Sequence, residues 1–184
     1  MLALATLENW HISSLDVRSA YLYGKLDKEI YMEFPEGFHP PHLRGKVLRL
    51  LHALYGLKQA GLAWWKALNE SMEELGFERL KTDAGLFLYR KGKEIVLAII
   101  YVDDAQFCGP SKSLVEKIKA AFIKKWKCRD LGETTEFFQM NIHQDGRQLA
   151  IDQCKYLEKV LEHCRMINAK PAHTSLPEGV QTFY

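Results

Sequence analysis

Two adjacent aspartates, Asp103 and Asp104, follow an apolar run from Ile95 to Ile100 and precede a second short run, Ala105 to Cys108, that stops at Gly109-Pro110. The pattern predicts a β-hairpin with two carboxylates at its tip. Like charges side by side are unfavourable unless a cation neutralises them, and a hard divalent ion such as Mg2+ takes oxygen ligands. Asp-Asp is also ordinary turn chemistry, because aspartate tolerates turn dihedrals and bonds its own backbone. A third carboxylate changes the balance. Asp16 ends the strand-like stretch His11 to Leu15. A two-metal site needs carboxylates from separate strands converging on one point. Strands carrying Asp16 and the Asp103-Asp104 pair at adjacent ends would supply it.

The elements that must position these groups are legible from periodicity. Residues 34–45 hold Pro35, Gly37, Pro40 and Pro41 and read as a loop, followed by a short strand over Lys46 to Leu51. A helix begins at Gly61, with Trp64, Leu68, Met72 and Leu75 at helical spacing and Gly76 as its C-terminal cap. Leu86 to Tyr89 and the run from Ile95 are strands turned by Lys91-Gly92-Lys93. A second helix follows Pro110, with Ser113 and Glu116 at capping-box spacing and Val115, Ile118, Phe122 and Trp126 as its buried stripe. Phe137 to His143 and Gln148 to Ile151 read as strands around an Asp145-Gly146 turn. Asp152 then caps a third helix with Leu157, Val160, Leu161 and Cys164 inward and Ile151 packing on Tyr156; the tail from Lys170 is irregular. The sum is an α+β fold, helices on one face of a mostly antiparallel sheet.

At 184 residues, 47% hydrophobic and 26% charged, the chain has the composition of a globular domain with a real core. No apolar run is long enough for a membrane span, and Met1 to Ala5 lacks the features of a signal peptide, so an intracellular protein is expected. Cys108, Cys128, Cys154 and Cys164 lack zinc-finger spacing and read as reduced structural thiols. The net charge of +2 announces no partner, but its distribution does more. Residues 37–69 hold no acid, and residues 112–129 hold seven basic residues against Glu116 alone. Two basic segments around an acidic hairpin suit a phosphate-rich ligand; for the second segment a solvated helix face is the alternative.

Asp16-Val17-x-x-Ala20-Tyr21, then Ile30-Tyr31-Met32-Glu33-x-Pro35-Glu36-Gly37-Phe38, Leu54-Tyr55-Gly56-Leu57-Lys58-Gln59-Ala60 with Trp64, Tyr101-Val102-Asp103-Asp104, and Asp130-Leu131-Gly132 stand in that order. Together these blocks resemble the reverse transcriptase segment of copia-type LTR retrotransposon polyproteins, over about Leu4 to Leu176. The resemblance implies a polymerase palm with partial fingers over residues 1–145, and over 146–184 the start of a thumb or connection. It implies RNA-directed DNA synthesis by two-metal nucleotidyl transfer onto a primer 3′-hydroxyl. Asp16 and Asp103 would bridge two Mg2+ ions (Mn2+ as a substitute), with Asp104 and the Val17 carbonyl as further ligands. Tyr21 would stack under the incoming sugar and disfavour a 2′-hydroxyl; taken on its own it reads rather as a buried core tyrosine. Tyr55, Gly56, Lys58 and Gln59, with Tyr101 and Val102, would line the nucleotide and template site, and 137–142 would form the primer-gripping hairpin. The implied partners are an RNA or DNA template–primer, deoxynucleoside triphosphates and the fingers, RNase H and integrase modules of a parent polyprotein, working in a cytoplasmic retroelement particle or the nucleus.

Three positions depart from the pattern. Gly61-Leu62 stands where Pro-Arg is usual, Tyr23 where Asn is usual, and Gln139 where the hairpin has Gly. The chain reads as a polymerase core cut from a longer polyprotein, so weak or no processive synthesis is expected of it alone. Two other readings remain: a remnant that keeps the fold and only binds nucleic acid, and a two-metal nuclease, for which no further carboxylate or histidine cluster is evident.

Overall fold

The computed structural model describes residues 1–38, 40–146 and 148–170. In chain order the elements are α1 (Leu2–Leu7), β1 (His11–Val17), β2 (Lys25–Met32), β3 (Leu48–His52), α2 (Ala60–Glu74), β4 (Phe77–Arg79), β5 (Leu86–Lys91), β6 (Glu94–Tyr101), β7 (Asp104–Gly109), α3 (Lys112–Lys125), β8 (Cys128–Glu133), β9 (Glu136–Phe137), β10 (Met140–Asp145), β11 (Gln148–Asp152) and α4 (Cys154–His163). Short 3-10 turns cover Ala20–Tyr23 and Pro41–Leu43. A six-stranded antiparallel sheet runs β4-β5-β6-β7-β1-β8, flanked by the small sheets β2-β3 and β11-β10-β9. This is the α+β architecture expected of a polymerase-like fold.

The sheet divides its residues by the two-residue period of a strand. Leu15, Val17, Ala98, Ile100, Ala105 and Phe107 face α2 and α3, meeting Trp64, Leu68 and Met72 from one helix and Val115, Ile118 and Phe122 from the other. Fully buried side chains of the size of Leu15, Val17, Phe107 and Phe122 each contribute about 1.5–3 kcal/mol. The opposite face holds a smaller cluster of Ala5, Ile12, Leu97 and Cys108 beneath α1. Strand β1 lies inside the sheet, between β7 and β8, so whatever it carries is held from both sides.

Several expectations are corrected. Ser111, not Ser113, caps α3, accepting from the Leu114 N–H at 3.3 Å; the helix starts earlier than the Ser113–Glu116 spacing implied, and Glu116 binds Lys119 instead. The strand expected over 137–143 is broken by a tight turn at Phe138 (φ 51°) and Gln139 (φ 60°), which separates β9 from β10. The stripe of α4 is not inward: Leu157, Val160, Leu161 and Cys164 are exposed, as are Ile151 and Tyr156. Periodicity identifies an apolar face but not a surface to bury it on. Helix α2 ends as expected, with Gly76 at φ 86° and its N–H on the Glu73 carbonyl. Strands β2, β4 and β8 and helix α1 carried no strong signal, being short or polar on both faces. The tail expected to be irregular from Lys170 lies almost wholly outside the described residues.

Candidate functional site

Asp16 on β1 and Asp104 at the start of β7 are register partners in the antiparallel ladder. Directly opposed residues point their side chains to the same face, and Leu15, Val17 and Ala105 beside them fill the core under the helices. The two carboxylates therefore share the opposite face. Asp103 occupies the turn between β6 and β7, and its carbonyl accepts from the Val17 N–H at 2.6 Å. That bond ties the turn to the end of β1. Val102 before it takes φ 52°, a left-handed conformation that costs a β-branched residue about 1–2 kcal/mol. Its carbonyl accepts from Trp64 Nε1 at 3.0 Å, so α2 holds the strained turn in place.

The electrostatics are those of partly buried carboxyls with like charge as neighbours. The Asp103 carboxyl is raised above its ordinary pKa by burial, opposed by the Tyr55 hydroxyl and reinforced by Asp16. Asp104 is raised by burial and then by Asp16, Asp103 and Glu136. As the side chains stand, no group of three His, Cys, Asp or Glu among the described residues is disposed to hold a metal ion. The backbone brings the three aspartates together, and after burial their neighbouring charges push the Asp103 and Asp104 carboxyls up. The donors nevertheless fit a hard divalent cation: they are oxygens, and the penalty they impose on one another is the one such an ion removes.

The other expected site residues fall around this point in different ways. Tyr55 donates its hydroxyl to both carboxylate oxygens of Asp103 at 3.2 Å, and its ring lies 4.6 Å from that of Tyr21. Burial, then the neighbouring Asp103 charge, raises the Tyr55 pKa. Gly56 sits at φ 92° with nothing within 4 Å of where a Cβ would be, an open left-handed turn that suits glycine. Lys58 is exposed, and Gln59 takes the N-cap position of α2 without a side-chain cap bond; among the described residues neither side chain bonds the carboxylates. Tyr101 is 62% exposed at the end of β6. The basic segments are partly consumed by the fold: Arg49 pairs with Glu29, Lys66 with Asp27, Lys112 with Glu133, Lys125 with Glu74, and Lys119 with Glu116 and Asp130.

Two participants, Glu136 and Gln106, were not expected, and a third, Phe138, lies in the expected 137–142 hairpin. A cleft of about 620 Å³ beside Asp104 is lined by Ser14, Glu133, Glu136, Phe138 and Gln139. Glu136 brings a fourth carboxylate towards Asp104, and nothing in its local sequence marked it. The Phe138 ring meets Tyr101 edge to face at 4.9 Å, docking the β9–β10 turn on the aspartate hairpin. Gln106, two residues inside Asp104, is fully buried with neither amide atom hydrogen-bonded to the protein. An amide within the apolar run 105–108 was the visible signal for it.

A family model described as reverse transcriptase (RNA-dependent DNA polymerase) matches residues 1–177. The retrovirus-related Pol polyprotein from transposon TNT 1-94 of Nicotiana tabacum is 35% identical over 179 residues, 96% of this chain and 14% of that protein. The corresponding polyprotein from transposon RE1 of Arabidopsis thaliana is 32% identical over 176 residues, 96% of this chain and 12% of its own length. The putative transposon Ty5-1 protein YCL074W of Saccharomyces cerevisiae is 29% identical over 163 residues, 88% of this chain and 53% of that protein. The chain thus spans about an eighth of the plant polyproteins and about half of the yeast protein.

Proposed function

The chain belongs to the reverse transcriptase (RNA-dependent DNA polymerase) family, as found in copia-type retrotransposon polyproteins, and from that premise we propose that it carries the catalytic core of template-directed DNA synthesis. The observation that supports this most is the pairing of Asp16 with Asp104 beside an Asp103 whose carbonyl is bonded to Val17. In the proposed reaction a primer 3′-oxygen forms a bond to the α-phosphorus of a deoxynucleoside triphosphate. The bond to pyrophosphate breaks, and the hydroxyl proton is lost. Two divalent ions, Mg2+ or Mn2+, bound by Asp16 and Asp103 with Asp104 and the Val17 carbonyl, would supply Lewis-acid activation of the hydroxyl and neutralise the phosphates.

The chain's own residues orient the reactants. Tyr21, packed against Tyr55 with the ring planes tilted by 52°, offers an aromatic surface beside Asp103 suited to the sugar, and a 2′-hydroxyl would collide with it. Gly56 leaves backbone open to the nascent base pair, with Lys58 and Gln59 at the start of α2 within reach of template and phosphate. Tyr101 and Val102 form the floor. Residues 1–145 act as palm with part of the fingers, and 146–184 begin the thumb or connection. The work is intracellular, on a template–primer, with the remaining polyprotein modules supplying fingers and RNase H.

Primer extension with Mg2+ and with Mn2+ tests this. Extension by the unaltered chain that Asp16→Asn or Asp103→Asn lowers by roughly 100- to 1,000-fold or more, with circular dichroism unchanged, supports the assignment. Retained extension in either variant rejects it. Template–primer binding without extension by the unaltered chain favours the nucleic-acid-binding remnant instead.

A further inference from the structure

On the face of the sheet that holds the carboxylates, three pairs of β1 and β7 form a graded ladder. Ile12 stands opposite Cys108, Ser14 opposite Gln106, and Asp16 opposite Asp104. Directly opposed residues share a face, and so do residues two apart on one strand. The rungs therefore run from apolar, through neutral polar, to charged. The apolar rung is spent on the fold, because Ile12 and Cys108 belong to the cluster beneath α1. The charged rung belongs to the proposed catalytic centre. The middle rung serves neither.

Ser14 is answered: its Oγ is hydrogen-bonded to Thr134 Oγ1 at 2.5 Å, and both residues are buried. Gln106 is 0% exposed, and among the described residues neither its Oε1 nor its Nε2 is hydrogen-bonded. Such a group costs about 1–3 kcal/mol, which an apolar side chain of the same length would avoid. The amide has few directions in which to find a partner. Towards α1 the next residue on its side of the strand is Cys108, whose sulfur accepts weakly, and across on β6 its partner is Ile99. Across on β1 stands the Ser14 hydroxyl. Towards the hairpin tip stands Asp104, two residues or about 6.5–7 Å along the strand, a gap that a glutamine and an aspartate side chain span together. Either hydroxyl of the Ser14–Thr134 pair can be the donor. With Thr134 donating, the Ser14 proton is free for Gln106 Oε1, and the Nε2 protons are left for a carboxylate, which only accepts.

We propose that Gln106 is a positioning residue for the metal centre: its amide N–H donates to the Asp104 carboxylate when that group takes a divalent ion, and its carbonyl accepts from Ser14. The inference rests on the polymerase reading above and names what holds Asp104 in place. A carboxylate fixed through one oxygen presents the other in one direction, and ligating carboxylates are commonly held by such outer partners. The chain Thr134–Ser14–Gln106 is neutral throughout, so it orients Asp104 without competing with the cation for its charge.

Mn2+ alone, titrated into the full chain and followed by loss of the electron paramagnetic resonance signal of the free ion, tests this without turnover. Gln106→Met is expected to weaken Mn2+ binding roughly 10- to 100-fold. In an Asp104→Asn background the same change should alter it by no more than about 2-fold, because the residue acts through Asp104. Ser14→Ala should weaken binding by a smaller factor with the same dependence on Asp104, and it serves should Gln106→Met unfold. Thermal melts read the linkage separately: any gain in stability from Gln106→Met should shrink at saturating Mn2+, because the ion then stabilises the unaltered chain more. Unchanged Mn2+ affinity in the folded variant, or an equal loss with and without Asp104, overturns the positioning role and leaves the polymerase reading standing. No Mn2+ binding by the unaltered chain, or binding that Asp16→Asn and Asp103→Asn leave intact, overturns both.

Discussion

Ser13 and Asp16 lie three residues apart on β1, on opposite faces of one sheet, and their surroundings treat charge in opposite ways. Under Ser13, the Lys119 ammonium is only 3% exposed and spends its three protons on Ser13 Oγ at 2.7 Å, Glu116 Oε2 at 2.7 Å and Asp130 Oδ1 at 3.0 Å. Burial works to lower the Lys119 pKa, but the bonds and charges of Glu116 and Asp130 outweigh it and raise it. Burial likewise works against ionised Glu116 and Asp130, and their hydrogen bonds leave both below the ordinary carboxylate range. Around Asp16 no ion pair to the three aspartates forms among the described residues, although Arg129 is the register partner of Asp16 on β8; Asp103 and Asp104 are raised, and Gln106 is buried without a hydrogen-bond partner among those residues. One face spends its charge on folding. The other leaves polar groups unanswered, as a site does when a ligand is to answer them.

The comparison can be broken most forcefully from the satisfied side. Lys119→Met leaves Glu116 to His11 and Asp130 to the Gly132 N–H; with both carboxylates half-exposed, it should destabilise the fold by about 1–2 kcal/mol, a fall in Tm of roughly 2–8 °C in a melt at pH 7. A smaller loss would show that the half-exposed partners are answered by water. On the unsatisfied side the sign reverses. Gln106→Met keeps the volume and removes two unbonded polar atoms, so denaturant unfolding should show a gain of about 1–2 kcal/mol; a loss would mean that the amide has a partner in solution.

The smallest effect carries the pH dependence. Asp104 has a raised folded pKa, so its ionisation opposes folding: its contribution is fully present below the unfolded pKa and is lost as pH rises through the folded one. Asp104→Asn should therefore raise Tm by roughly 1–2 °C at pH 7, and the gain should vanish in acid, where the unaltered chain is itself protonated. Glu116 and Asp130 run the other way. Their support is present above their unfolded pKa and lost as pH falls through the lowered folded values, so Lys119→Met should flatten the acid limb of the stability profile that Asp104→Asn leaves intact. Melts across pH 3–8 separate the two faces.

Much of the sheet and the site was legible because alternation and helical spacing are local. The β6–β7 hairpin, the stripe of α2 and the Gly76 cap follow from residues a few positions apart. The α3 cap was misjudged by two residues because Ser111 and Ser113 offer the same chemistry, and only the helix start chooses between them. Helix α4 shows the limit most plainly. Its stripe was read correctly as a face, yet no local signal says whether a face has a partner.

By itself the sequence determined which carboxylates are the candidates for a divalent ion, that two of them stand at the tip of a buried strand pair, and the family pattern that contains them, because side-chain chemistry and period are properties of the chain. Tertiary structure alone decided that Asp16 stands opposite Asp104, that Tyr55 reaches Asp103 across 48 residues, and that Phe138 leans on Tyr101. It also decided which of the basic residues are consumed by internal ion pairs. Register and long-range contact come from how two sheet faces share a limited set of partners, and that sharing exists only once the strands have paired.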